Sequence, residues 1–173
     1  MSFAFFSMAA LPIQYTASTE STPLDAVIIG AGPAGVVSLR NLLKAQLNAI
    51  AIERQPGVGG LWLNHTPDYS SLQVLRKDWG IHGVECGSDD TDQRRFLRKH
   101  VLQWVEQYVA HFNLTDHIFL NREVVTIKFI RPMLFLVEIS EVEKCRYLGG
   151  GIRIEATTVR IYARSVLFCA GTS

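Results

Sequence analysis

From Asp25 the chain falls into short apolar runs set off by glycine-rich or polar stretches. Ala26-Val27-Ile28-Ile29 is β-branched and apolar and ends at Gly30, the pattern of a strand buried on both faces. Beyond the glycines, Val36, Leu39, Leu43 and Leu47 recur at helical spacing, with Ser38, Asn41 and Lys44 on the opposite side. Ala49-Ile50-Ala51-Ile52 is a second apolar strand, ending at Glu53. Strand, helix and parallel strand in this order predict a βαβ unit. Residues 54–87 then show no sustained period. From Thr91 a second helix is predicted, with Leu97, Val101, Trp104, Val105, Tyr108 and Phe112 as its apolar stripe and Thr91-Asp92 as its cap. That stripe reads as packing rather than as a cofactor contact.

Residues 124–130, 134–139 and 159–163 read as strands, with Pro132 at the first turn and Gly149-Gly150-Gly151 in the second link. A small antiparallel meander is predicted there, followed by another buried strand over 165–169. The fold class is therefore α/β: a Rossmann-like FAD/NAD(P)-binding domain with a parallel sheet plus a small antiparallel β-meander. Residues 1–24 are expected to be a flexible leader and 25–173 one domain.

Composition adds limits rather than direction. A net charge of +1 over 173 residues gives no electrostatic case for nucleic acid or an anionic membrane surface. Cys86, Cys145 and Cys169 lie far apart, and the five histidines show no ligand spacing, so no metal is expected. The cysteine usage suits a reducing, cytoplasmic setting. Residues 3–13 are mostly apolar, but no Lys or Arg precedes them and they are too short to span a bilayer, so they read as part of the leader, with no clear membrane segment.

The chemistry lies in Gly30-Ala31-Gly32-Pro33-Ala34-Gly35, a GxGxxG between strand and helix. Gly30 permits the tight turn, Gly32 lets the backbone approach a pyrophosphate, and Gly35 lets helix and strand pack closely. The free amides at the helix start and the positive end of its dipole then favour phosphate. Glu53 ends the second strand, where a carboxylate can accept hydrogen bonds from ribose hydroxyls and repel a 2′-phosphate. That disfavours NADP at this site and favours FAD or NAD. Arg54 either flanks the adenosine or is simply solvated. Gly57-Val58-Gly59-Gly60-Leu61-Trp62 follows, a loop whose glycines can bring backbone against a cofactor. Cys169, inside an apolar run, reads as a small hydrophobe rather than a nucleophile.

GAGPAG at 30–35, ER at 53–54 and GVGGLW at 57–62 resemble the start of the flavin-containing monooxygenases and the related Baeyer–Villiger and N-hydroxylating monooxygenases. Tyr69-Ser70-Ser71-Leu72, residues 108–114 and 118–124, and the closing Leu167-Phe168-Cys169-Ala170-Gly171 extend the likeness. The resemblance implies a design with two dinucleotides: FAD on the first Rossmann unit and NADPH on a second one, inserted beyond the closing strand. It implies that Gly30, Gly32, Pro33, Ala34 and Gly35 line the pyrophosphate, and that Glu53 and Arg54 meet ribose and adenosine. Gly60, Leu61 and Trp62 would approach the flavin side. Val124 would meet the adenine through its backbone, and Gly171 would lie near the phosphates. In the family, NADPH reduces the flavin, which then activates O2 to oxygenate a small-molecule substrate; no side-chain nucleophile is required. The family's NADPH motif and the part that completes its flavin pocket have no counterpart in residues 1–173. The chain alone is therefore expected to bind FAD weakly at best and not to turn over. Two other readings stand beside this one: a non-catalytic dinucleotide-binding remnant, and another FAD/NAD(P)-dependent oxidoreductase.

Overall fold

A computed structural model of the chain describes residues 18–75, 95–141 and 158–171. The two apolar runs around the glycines form β1 (Leu24–Ile29) and β2 (Ala49–Ile52), paired parallel with Ala26 opposite Ala49 and Ile29 opposite Ile52. Every residue of β2 is buried, as a strand covered on both faces requires. Between them α1 (Pro33–Lys44) turns Gly35, Val36 and Leu39 into the core.

Leu47, expected on the apolar face of this helix, instead lies past its end and is exposed. Gln46 takes a left-handed conformation (φ 61°). Its amide donates to the Leu43 carbonyl at 2.9 Å, and the Leu47 amide to the Leu42 carbonyl at 3.0 Å. This pair of bonds satisfies the last helical carbonyls and turns the chain off the helix.

The stretch without periodicity contains a single helical turn, α2 (Leu61–Asn64), and a strand, β3 (Ser71–Leu75). Strand β3 pairs antiparallel with β4 (Arg95–Leu97), which leads straight into helix α3 (Arg98–His111). The helix predicted from Thr91 therefore begins at Arg98. Residues 95–97 are extended because they pair with β3, a tertiary contact that helical spacing cannot reveal. Thr91 and Asp92 lie outside the described residues, and the expected cap is replaced at Leu97, whose amide donates to His100 Nδ1 at 3.2 Å. Of the predicted stripe, Val101, Trp104, Val105 and Tyr108 are buried and Leu97 and Phe112 half-buried; Val109 is buried beside them. Trp104 and Tyr108 have ring centroids 5.0 Å apart, and Tyr108 and Phe112 4.7 Å apart. Arg40 of α1 lies 4.7 Å over the Phe112 ring, a cation–π contact joining the two helices.

Beyond α3 come a 3-10 turn (Thr115–His117) and β5 (Ile118–Phe119), a strand too short to show a period. Strands β6 (Arg122–Arg131) and β7 (Leu134–Glu141) form the predicted hairpin, closed by Pro132 and by Met133 at φ 59°. Pro at the first turn position and a positive φ at the second suit a tight turn. The strands expected separately at 159–163 and 165–169 are one, β8 (Thr158–Phe168). It changes partner along its length: residues 158–163 run antiparallel to β7, and residues 163–168 run parallel to β1 beyond a shared Ala163. No Gly or Pro interrupts it, so a single extended segment serves both the meander and the parallel sheet. Cys169 falls just beyond its end.

Among the described residues, six strands share one sheet in the order β5-β2-β1-β8-β7-β6, so the α/β class with its meander holds, and β3-β4 is a small separate ladder. One core cluster joins Ala26, Ile28, Ala49 and Ala51 of the sheet to α1 and α3. The second joins Val27, Ile50, Ile52 and Phe119 to Val137, Ile139, Ile161 and Ala163, so the meander folds over the opposite face. At the near end Ser18 Oγ accepts from the Tyr162 amide at 3.0 Å, and Leu24 is already in β1. No helix of the described residues is long and apolar enough to cross a membrane.

On the meander, Glu138 lies between Lys128 at 3.3 Å and Arg160 at 3.0 Å. Its hydrogen bond to Lys128 is the main cause that holds its carboxyl below the ordinary value; partial desolvation opposes this, and Arg160 adds to the lowering. A lowered folded value means that stability is present at neutral pH and lost as pH falls through the acid range. Urea midpoints for Glu138→Gln should therefore depend less on pH below neutrality than those of wild type. Trp104→Ala, which empties the centre of the α3 stripe, should cost about 3–5 kcal/mol in the same unfolding measurement.

Candidate functional site

The site forms at the ends of β1, β2, β5 and β8, which all point the same way. Gly30 leaves β1 at φ 101°, and its amide donates to the Ile52 carbonyl at 2.8 Å. A Cβ at Gly30 would lie 2.7 Å from the Cys169 carbonyl oxygen, so the end of β8 also demands glycine there. At Gly35 the demand is harder: a Cβ would lie 2.0 Å from the Gly30 carbonyl oxygen. This is the close helix–strand packing expected of the motif's last glycine.

Gly32 differs. It is the N-cap of α1, with φ −70°, a conformation open to any residue. A Cβ there would meet Gly60 backbone at 3.6 Å, ordinary van der Waals contact. Pro33 follows at the first helical position, where its missing N–H costs nothing. The amides of Ala34 and Gly35 belong to the first turn, which has no intrahelical acceptors. No acidic side chain lies in that turn, and no side chain caps it. The positive end of α1 is thus left unneutralised by its own first turn.

Glu53 is 5% exposed. Its Oε2 accepts from the Ala31 amide at 2.8 Å and its Oε1 from the Gln55 amide at 2.8 Å. Its backbone amide donates to the Phe119 carbonyl, and its carbonyl accepts from the Arg122 amide, both at 2.9 Å. Each carboxylate oxygen retains further acceptor capacity. Arg54 next to it is exposed.

The second glycine loop lies against the first. Gly59 (φ 124°) donates its amide to the Ala31 carbonyl at 2.9 Å, and a Cβ at Gly60 (φ 59°) would come within 3.1 Å of Gly32 Cα. Leu61 is 48% exposed, whereas Trp62 is half-buried against the helical core cluster. Gln55 Oε1 accepts from Asn64 Nδ2 at 2.8 Å, and its Nε2 lies 3.3 Å from His65 Nε2.

The structure thus brings together Gly30, Gly32, Pro33, Ala34, Gly35, Glu53 and Gly60. Cys169 and Ala170 back onto Gly30, and Gly171 (φ 71°) follows, with nothing among the described residues within 4 Å of a Cβ placed there. Val124 stands two residues past Arg122 on β6, its side chain packed into the meander cluster. Gln55 and Arg98 escape sequence reasoning, since each acts across a fold contact with no local pattern. Among the described residues no group of His, Cys, Asp or Glu could hold a metal ion.

Comparison with known proteins follows the same line. Residues 28–100 match the family described as NAD(P)-binding Rossmann-like domain. The chain is 30% identical over 105 residues to "Probable flavin-containing monooxygenase 1" of Arabidopsis thaliana, covering 60% of this chain and 19% of that protein. It is 26% identical over 137 residues to "Flavin-containing monooxygenase FMO GS-OX3" of the same plant, covering 65% of this chain and 30% of that protein. The chain therefore spans less than a third of the length of these relatives. The solved S-allyl-L-cysteine S-oxygenase of Allium sativum shares its fold, with a TM-score of 0.65 at 22% identity over 86% of this chain and 36% of that one.

Gly32 and Gly35, at the start of α1, should separate cleanly in unfolding experiments. Gly35→Ala forces helix and strand apart and should cost about 1–3 kcal/mol or more. Gly32→Ala should stay within about 1 kcal/mol of wild type.

Proposed function

We propose, from the premise that this chain corresponds to the N-terminal portion of the flavin-dependent monooxygenases, that it is the FAD-holding part of an NADPH-using oxygenase. The observation that carries the reading is Gly32. Its backbone conformation and surroundings would accept a Cβ, yet the residue is glycine, at the mouth of a helix whose first turn carries no acid. A bound pyrophosphate supplies the reason that the fold does not.

The residues present fit FAD. The Ala34 and Gly35 amides would face the pyrophosphate, with Gly32 and Gly60 giving backbone approach from both loops and Gly171 closing the phosphate end. Glu53 would accept from the ribose hydroxyls on lone pairs left by its two backbone donors. A 2′-phosphate there would meet a buried carboxylate, so this site discriminates against NADP. Arg54, being exposed, is free to lie along the adenosine, and the β6 backbone at Val124 borders the adenine. Leu61 is open toward the flavin side, and Trp62 supports that loop from the core. When bound, FAD supplies the redox chemistry; the chain's own residues bind it, orient it and keep its phosphates on the helix end.

The relatives' greater length makes oxygenation of a small-molecule substrate an activity of the longer architecture, with NADPH held outside these residues. The scattered cysteines support a cytoplasmic setting. The test is titration of purified 1–173 with FAD, followed by flavin fluorescence, alongside NADP+ and a Gly32→Val variant. Saturable but weak FAD binding, with NADP+ binding at least roughly tenfold weaker and a comparable loss in the variant, is expected. NADPH oxidation should not rise when FAD is added. Robust turnover, or equal affinity for NADP+, would overturn the proposal.

A further inference from the structure

We infer that Arg98 is the positioning residue of the flavin-side loop, holding residues 60–68 at the spacing from the α1 N-terminus that a flavin dinucleotide needs. The inference rests on the FAD reading above. Arg98 is the first residue of α3, far in sequence from the loop it grips. Its Nε donates to the Trp62 carbonyl at 2.7 Å, one terminal nitrogen donates to the Leu63 carbonyl, and the other pairs with the Asp68 carboxylate. Its own amide donates to the Ser70 carbonyl at 2.9 Å. The side chain is 21% exposed, whereas Asp68 is 92% exposed, so the grip faces inward on the carbonyls and outward on the carboxylate.

The need for such a grip is physical. Helix α2 is a single turn, Leu61–Asn64: its Leu61 carbonyl accepts from the His65 amide at 3.0 Å, and the Trp62 and Leu63 carbonyls are the ones Arg98 meets. A guanidinium offers donors in a fixed planar fork that can reach two adjacent carbonyls and a carboxylate together; an ammonium is a point charge that cannot reproduce the arrangement. The start of the loop is tied to the first glycine loop by Gly59 on Ala31. Its middle is fastened through Arg98 on the Trp62 and Leu63 carbonyls and through Asn64 on Gln55, and its far stretch through Arg98 on Asp68. Between these ties lies Gly60, packed on Gly32. A shift of α2 would therefore move Gly60 and Leu61 relative to the pyrophosphate position. Arg98 itself reaches loop backbone and Asp68 and acts on the cofactor only through that loop.

The test compares FAD with ADP, which carries the adenosine and pyrophosphate but no flavin end. Wild-type 1–173, Arg98→Gln and Arg98→Lys are titrated with both, and hydrogen exchange of residues 60–66 is followed without ligand. Arg98→Gln should weaken FAD roughly tenfold and leave ADP within about twofold, with Arg98→Lys recovering part of the loss. Exchange at 60–66 should accelerate in Arg98→Gln while the amides of α1 keep their protection. Equal losses for FAD and ADP, or unchanged FAD affinity and exchange, would overturn the inference. If wild type binds ADP but not FAD, the FAD reading falls and this inference with it. If wild type binds FAD and Arg98→Gln binds it equally well, only the role of Arg98 falls.

Discussion

A carboxylate taken out of water at the end of a strand must find donors, because an unpaired buried charge costs far more than one partner returns. Glu53 finds them in the amides of Ala31 and Gln55, one on each oxygen. Those amides belong to the two loops that form the site, so the electrostatic demand of one side chain fixes their separation. The same residue's backbone joins Phe119 and Arg122, tying the parallel strands to the start of the meander. The helix N-terminus, the second glycine loop and β6 take their places around this buried charge. Charge-assisted bonds of this kind are shorter and stronger than neutral ones, which suits a junction that must stay put while a ligand binds and leaves.

How far the sequence reveals this depends on the range of each contact. The βαβ unit is legible because strand, glycines, helix and acid sit within one local stretch whose spacing is set by backbone geometry. The α3 stripe is legible because helical period survives whatever packs on it. The features that escape are those decided by distant partners. Residues 95–97 carry nothing that marks them as extended; β3 makes them so. The apolar runs on either side of Arg164 look like two strands, and only the exchange of β7 for β1 shows them to be one. Leu47 fits a helical period that Gln46 has already ended by turning left-handed. Arg98 reads as one more charged residue at a helix start until Trp62 and Leu63 are seen in its reach.

The glycines show why motif spacing and function must be argued separately. Gly30, Gly35 and Gly59 are fixed by the protein itself: a Cβ at Gly30 or Gly35 would run into the backbone of Cys169 or Gly30 at 2.7 and 2.0 Å, and Gly59 takes a φ of 124°. Their presence says that this fold is built and says little about what it holds. Gly32 has room for a Cβ and an ordinary backbone angle, whereas Gly171 is left-handed at φ 71° and calls for glycine on that ground alone. A glycine where the surrounding protein leaves space points to a neighbour that the protein does not itself provide. At Gly32 the helix dipole gives that neighbour a sign, since first-turn amides with no acid in their own turn attract negative charge. In the proposed reading Glu53 then sets the opposite requirement a short distance along the same ligand, hydroxyls rather than phosphate. An anionic group followed by an unphosphorylated ribose is the pattern of a dinucleotide such as FAD, and it follows from the placement of two residues rather than from the motif that contains one of them.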